Sequence, residues 1–311
     1  MIWSFSGHRI FLQCQRKWFF MQKMANALAK NDPLRREAYL LCQLRSLPAW
    51  RGSIVDKAIE EAVVPSLRMG TVPQPDSVLA HARYLVDAQL EFAMARRYLE
   101  PGMTKKKAGN QYAALFEIEY GNGINPESLK IAKEEIEISL TNLLANNQII
   151  GILRNSAWLA AQHALTFNLN EADFIIRAHP DLIAFFSDAA PLIIDWKVSI
   201  GRTNDYWLQL ALYALALCHS SPHRDWPPFA MIGVDATKVR LVEANLLTNY
   251  FKEHNVNEDD VVELEDFILD SAWKMELLDL DKKYTQLEVE SFESARNPRS
   301  CEYCQFQRLC W

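Results

Sequence analysis

Apolar residues recur at helical spacing through the first half of the chain and at strand spacing only after about residue 165. The pattern predicts helices over residues 4–20, 52–64, 76–100, 126–145 and 149–164. In the second of these, Ile54, Ala58, Ile59 and Ala62 fall on one side, and Asp76 stands where it would cap the third. Pro65, Pro73, Pro75, Pro101 and Pro126 punctuate the set, because proline lacks the backbone donor that a helix interior needs. Short runs rich in Ile and Phe then predict strands over 165–169, 174–186 and 191–198. A helix over 206–218 and a second strand pair, 229–234 and 239–244, follow. Helical spacing resumes to about residue 283, and a cysteine-rich tail closes the sequence. No internal repeat interrupts this order. The expectation is an α/β fold, a mixed sheet flanked by helices, with a helical insertion before it. The chain divides as 1–65 (N-terminal helical part), 66–164 (insertion), 165–250 (core) and 251–311 (C-terminal helix and tail).

Charge appears where that pattern calls for apolar side chains. Along 191–198, Leu192, Ile194, Trp196 and Val198 share one face of the strand, and Ile193, Asp195 and Lys197 share the other. A turn near Asp188 and Ala189 folds the strand back on the one carrying Asp181, bringing Asp181 opposite Asp195 and Trp196. Buried carboxylates need a compensating cation. Mg2+ or Mn2+, hard ions with oxygen ligands, would supply it. Taken alone, the Asp-x-Lys triplet reads more readily as a buried Asp–Lys ion pair, with Asp181 in the turn. The next helix adds weight. Residues 207–218 are apolar all round except for Gln209 and Tyr213, which stack four apart on one face and should look onto a polar site.

Of six cysteines, Cys42 and Cys218 lie in apolar helical stretches and read as small hydrophobes. Cys301-x2-Cys304-x5-Cys310 at the end of the sequence and Cys14 near its start read as metal ligands. Four thiolates suit either a tetrahedral Zn2+ or a [4Fe–4S] cluster. Disulfides are not expected, because no apolar run approaches the ~20 residues of a membrane span and no secretory leader pattern opens the chain. The expected compartment is the cytoplasm, without membrane association. A formal net charge of −6 weighs mildly against a nucleic-acid binder. It is offset by local basic stretches at Arg9, Arg16 and Lys17, at Arg35-Arg36 and at Lys105-Lys106-Lys107.

Together these residues resemble the PD-(D/E)xK nuclease superfamily, and within it the RecB-like branch that carries an iron–sulfur cluster. That branch includes the CRISPR-associated Fe–S exonucleases and the nuclease domains of AddB-type helicase–nucleases. Its motifs match Cys14 within SFSGHRIFLQCQRKWFF, Asp181, Asp195-Trp-Lys197, Gln209-x3-Tyr213 and the CEYCQFQRLCW tail. The resemblance covers residues 1–20, 165–245 and 295–311. It implies a restriction-endonuclease-like fold whose terminal region is pinned by a [4Fe–4S] cluster on Cys14, Cys301, Cys304 and Cys310. It implies a divalent ion held by Asp181, Asp195 and the Trp196 carbonyl, with Lys197, Gln209 and Tyr213 completing the catalytic set. Where the branch has Gly-x3-His, this chain has Gly52-x3-Asp56, so Asp56 becomes the candidate ligand there. His179-Pro180 replaces the usual glycine-containing turn before Asp181. The implied activity is DNA phosphodiester hydrolysis, exonucleolytic on single strands or ends, in DNA repair, recombination or phage defence, beside a helicase or defence-complex subunit. The alternative is an inactive subunit on the same fold that binds nucleic acid or scaffolds a complex.

Overall fold

The computed structural model describes every residue except 30, 122, 170–173, 201–205, 225, 232–233, 279–281 and 311. The chain forms two compact units, each assembled from separated segments. Residues 1–5, 51–84 and 131–270 make the first, and 6–50, 85–130 and 271–311 the second.

The first unit is mixed α/β, as the strand and helix spacing implies, and its strands match a restriction-endonuclease-like arrangement. Among the described residues its strands are β1 (Ile2–Trp3), β2 (Trp158–Ala161), β3 (Leu165–Phe167), β4 (Ile175–Ala178), β5 (Leu182–Phe185), β6 (Leu192–Lys197), β7 (Arg240–Asn245) and β8 (Tyr250–His254). They form a sheet ordered β1-β4-β3 and a larger one ordered β2-β5-β6-β7-β8. β6 sits at the centre of the larger sheet, antiparallel to β5 and parallel to β7. Its run Leu192–Trp196 is buried on both faces, which is why it reads as a nearly continuous apolar stretch. The Trp207–His219 helix packs on β3, β4, β6 and β7, and Leu210 through Leu217 are all buried.

Four expectations need correction. The helix foreseen over 149–164 ends at Arg154, where Asn155 and Ser156 bond back to the last turn, and β2 follows. The strand foreseen over 174–186 is two strands in different sheets. The chain changes sheet at His179-Pro180-Asp181, where Pro180 offers no N–H to continue the ladder. Of the strand foreseen over 229–234, residues 232–233 lie outside the described residues and Pro228–Met231 is a 3-10 turn, begun by two prolines. Helical sequence was expected soon after residue 244. Instead β8 pairs with β7 across a turn in which Asn249 adopts φ 52°, a left-handed conformation that asparagine tolerates. β8 is an edge strand, and of its residues His254 is the one that is buried, so it leaves little hydrophobic alternation to detect.

Smaller shifts occur at helix ends. The third expected helix begins with Pro75 and carries Asp76 inside its first turn rather than at its cap. The 4–20 stretch breaks into Phe5–Gln13 and Gln15–Phe19 at Cys14, whose sulfur accepts the Lys17 N–H at 3.4 Å. Pro126–Ala145 is one helix with the foreseen bounds.

The second unit is helical and built around aromatic rings. Phe19 stacks on Phe292 with centroids 4.4 Å apart, Phe20 stacks on Phe306 at 5.3 Å, and Phe11 meets Trp18 edge-on at 5.4 Å. The Arg16 guanidinium donates to the Phe292 carbonyl at 3.0 Å, and the Glu293 N–H donates to the Gln15 side chain at 3.0 Å. Near the other end of the tail, the Tyr120 hydroxyl donates to the Gln305 carbonyl at 2.6 Å. Among the described residues no helix is long and apolar enough to cross a membrane.

Candidate active site

The site lies at one end of the larger sheet. The β5–β6 ladder pairs Leu182 with Ile194, so Asp181, one residue before β5, faces Asp195. The Trp196 N–H donates to Asp181 Oδ2 at 2.8 Å and ties the hairpin together at this point. Asp195 Oδ1 accepts the Gln209 amide at 3.1 Å, and the same amide reaches the Tyr213 hydroxyl at 2.5 Å. Asp195 Oδ2 is ion-paired with Lys197. Gln209 and Tyr213, four apart on the buried helix, therefore reach the carboxylate side of the sheet. The Lys197 ammonium also lies 4.5 Å from the centre of the Tyr206 ring.

Burial sets the electrostatics. Asp195 is 2% exposed, and Asp181 is half-buried. Burial first, then the charges of Asp195 and Asp56, push the Asp181 pKa well above its ordinary value. Burial likewise raises Asp195, against the pull of Lys197. Burial would lower the Lys197 pKa, but Asp195 and Asp181 outweigh it and hold it raised. Tyr213 is raised by burial and then by the two aspartates. Asp56 projects from the Leu47–Ala58 helix near enough for its charge to act on Asp181. The charges of Asp56, Asp181 and Asp195 thus bear on one another beside the Lys197 ammonium, and a divalent cation would favour their ionised forms. Among the described residues no group of three or more His, Cys, Asp or Glu is drawn together closely enough to form a ready metal cage.

The profile of the PD-(D/E)XK nuclease superfamily matches residues 2–311. The chain belongs to that superfamily. No curated protein matches the sequence significantly. Among solved structures, the chain is similar to SSO0001, with 15% identity over 60% of this chain and 80% of that one and a TM-score of 0.29. A proposed exonuclease from Eubacterium rectale shares 12% identity over 90% of this chain and 94% of its own, with a TM-score of 0.33. VC1899 from Vibrio cholerae shares 13% identity over 84% and 60%, with a TM-score of 0.25. Likeness at this level carries nothing about activity.

This superfamily member has a second group of chemically competent side chains, in its helical unit. Cys14, Cys301, Cys304 and Cys310 line one pocket, closed in by Phe20 and Phe306 and edged by Arg16 and Lys17. All four are free thiols. Arg16 lies 3.9 Å from the Cys310 sulfur, and the Cys304 N–H bonds the Cys301 carbonyl at 3.1 Å in a tight turn. Burial raises the Cys304 pKa, against the Phe306 N–H and Lys17, and Cys14 and Cys301 raise it further. Cys42 and Cys218 line no part of this pocket, and burial pushes their thiols up to about 12 and about 11.

Three contributors to the acidic site were not foreseen. Arg51 pairs with Glu135 and donates to the Val198 carbonyl, tying the helix that bears Asp56 to the end of β6. Only its place in the turn before Asp56 hinted at this. Glu243 stands beside Asp195 in the β6–β7 ladder, adds to the pressure raising its pKa, and lies 3.1 Å from His254. Its signal was an acid in an apolar strand, the same signal that exposed Asp195. Gln162 donates its amide to Asp181 Oδ1 at 3.1 Å. It was hidden by the helical reading of 149–164.

Proposed function

We propose that the protein is a divalent-metal-dependent deoxyribonuclease, an exonuclease acting on single strands or DNA ends. The observation that carries this is the hairpin's facing Asp181–Asp195 pair, with Lys197, Gln209 and Tyr213 converging on Asp195. In this reading Asp181, Asp195 and the Trp196 carbonyl hold Mg2+ or Mn2+, with Asp56 as a further ligand. The ion supplies Lewis-acid stabilisation of the phosphoryl group. Lys197 orients the attacking water and offsets charge that develops on the phosphoryl oxygens. The water oxygen bonds to phosphorus as the bond to the leaving nucleoside oxygen breaks, and a proton ends on that oxygen. Gln209 fixes the Asp195 carboxylate while Tyr213 fixes Gln209. Burial and mutual repulsion oppose the ionisation of Asp181 and Asp195 that metal binding needs, so metal binding would be pH-dependent.

The thiol pocket is read as the seat of a [4Fe–4S] cluster. Four soft donors share an apolar cradle, and Arg16 and Lys17 beside it would balance the negative charge of a thiolate-bound cluster. Such a cluster would hold the C-terminal tail to the Phe5–Gln13 and Gln15–Phe19 helices. The basic stretches would track a DNA backbone, in DNA repair, recombination or phage defence beside a helicase or other subunit. Arg16 would serve the pocket rather than DNA.

The test is cleavage of end-labelled single- and double-stranded DNA with Mg2+ or Mn2+, comparing the protein with Asp195→Ala. Cleavage lost only in the variant supports the reading. DNA binding without cleavage by either would replace it with a recognition or scaffold subunit.

A further inference from the structure

Gln162 is a bend residue just past β2, and its backbone has φ 52°. That left-handed conformation favours glycine and is strained for a glutamine. Two bonds keep it there. Continuing the β2–β5 register, in which Ala161 faces Leu182, sets Gln162 opposite Asp181, and its N–H donates to the Asp181 carbonyl at 3.0 Å. Its side-chain amide then turns onto Asp181 Oδ1 at 3.1 Å. Since Trp196 N–H holds Oδ2 at 2.8 Å, the carboxylate is gripped at both oxygens and its plane is fixed. Each oxygen retains a lone pair for a further partner. Asp195 is held the same way on the other side, by Gln209 and Lys197. A strained backbone beside a functional carboxylate, with a side chain whose one described bond goes to that carboxylate, suggests a role at the site and not merely in the fold.

We infer that Gln162 is a positioning residue that orients Asp181 toward the divalent ion. The inference rests on the nuclease reading in one respect, that Asp181 is a metal ligand. Ligand-orienting partners of this kind alter metal affinity by roughly 10–100-fold when removed.

Two variants separate the amide from the backbone. Gln162→Gly loses the amide but suits the left-handed backbone, so it should melt no lower than wild type. Gln162→Ala loses the amide and keeps the backbone strain. The measurement is Mn2+ binding to the full chain without DNA, by electron paramagnetic resonance titration, with thermal melts alongside. Both variants should bind Mn2+ about 10–100-fold more weakly, with the apparent Mn2+ requirement for cleavage raised and cleavage at saturating Mn2+ largely restored. Binding within twofold of wild type in Gln162→Gly overturns the inference alone, as does a loss confined to the less stable Ala variant. Failure of the wild type to bind Mn2+ overturns the nuclease reading and this inference with it.

Discussion

Replacing Asp181 by Asn should stabilise the metal-free protein at alkaline pH while removing metal-dependent cleavage. In the native fold Asp181 is charged only against burial and the fields of Asp195 and Asp56, and Lys197 with the Trp196 N–H does not fully compensate. Facing strand residues lie about 5 Å apart, and two unit charges at that distance repel by roughly 3 kcal/mol at an effective dielectric of about 20. Lys197 and the solvent-exposed edge return part of this, leaving an expected gain of about 1–2 kcal/mol. The substitution costs little in hydrogen bonding. The Asn oxygen still accepts the Trp196 N–H, and exposed Gln162 can turn its amide so that its oxygen meets the Asn nitrogen. The sign follows from linkage. A carboxyl whose folded-state pKa is raised contributes its stability fully below the unfolded pKa, near pH ~4, and loses it as pH rises through the folded value. Wild type should therefore weaken as pH rises from about 4 through the raised folded value, and the variant should weaken less. Melting in EDTA would show the variant higher by about 2–6 °C at pH ~8 and level with wild type near pH ~4. Adding Mg2+ should reverse the order, because only an intact site gains from the ion. A variant that melts below wild type at alkaline pH without metal, or a gap that persists in acid, refutes the reasoning.

Lys197→Ala should retain Mn2+ binding but lower the cleavage rate by about 10²–10³-fold; a folded variant cleaving at the wild-type rate removes Lys197 from the catalytic set. Cys301→Ser should lose iron and colour on anaerobic purification while Cys218→Ser keeps both, and equal iron contents would end the cluster reading. Phe292→Ala removes the ring stacked on Phe19 and tilted against Trp18 and should cost about 3–5 kcal/mol in urea unfolding; a loss under 1 kcal/mol would mean those rings repack around the gap. His254→Ala leaves Glu243 without its 3.1 Å neighbour beside Asp195 and should shift the pH profile of cleavage without abolishing it. An unchanged profile would disconnect the pair from the site.

The centre of the acidic site was legible because it violates the pattern around it. Asp195 and Lys197 interrupt a buried strand, and Gln209 and Tyr213 interrupt an apolar helix, so burial and polarity together point to them. The position of Asp181 followed from hairpin arithmetic, which register obeys strictly. What stayed hidden was carried by segments without a strong period. β2 is four residues long and follows a helix without a proline or glycine between them, so the helical reading swept through it and took Gln162 along. β8 is largely exposed, and β1 is two residues paired in parallel with β4 from far along the sequence. Sequence spacing cannot announce pairings of that range. Nor could it show that each unit is sewn from segments lying far apart in the chain.

That stitching sets a timetable for biosynthesis. The second unit needs residues 6–50, 85–130 and 271–311 together, so its aromatic core cannot close while the final segment is still being translated. Cys14 leaves the ribosome about 290 residues ahead of the Cys301–Cys310 tail, a delay of roughly 15 s to a minute at about 5–20 residues per second. Through that interval its thiol, and the rings of Trp18, Phe19 and Phe20, have none of their C-terminal partners. A nascent chain in this state is a natural client for chaperones, and the four thiols can meet only after residues 301–310 have emerged.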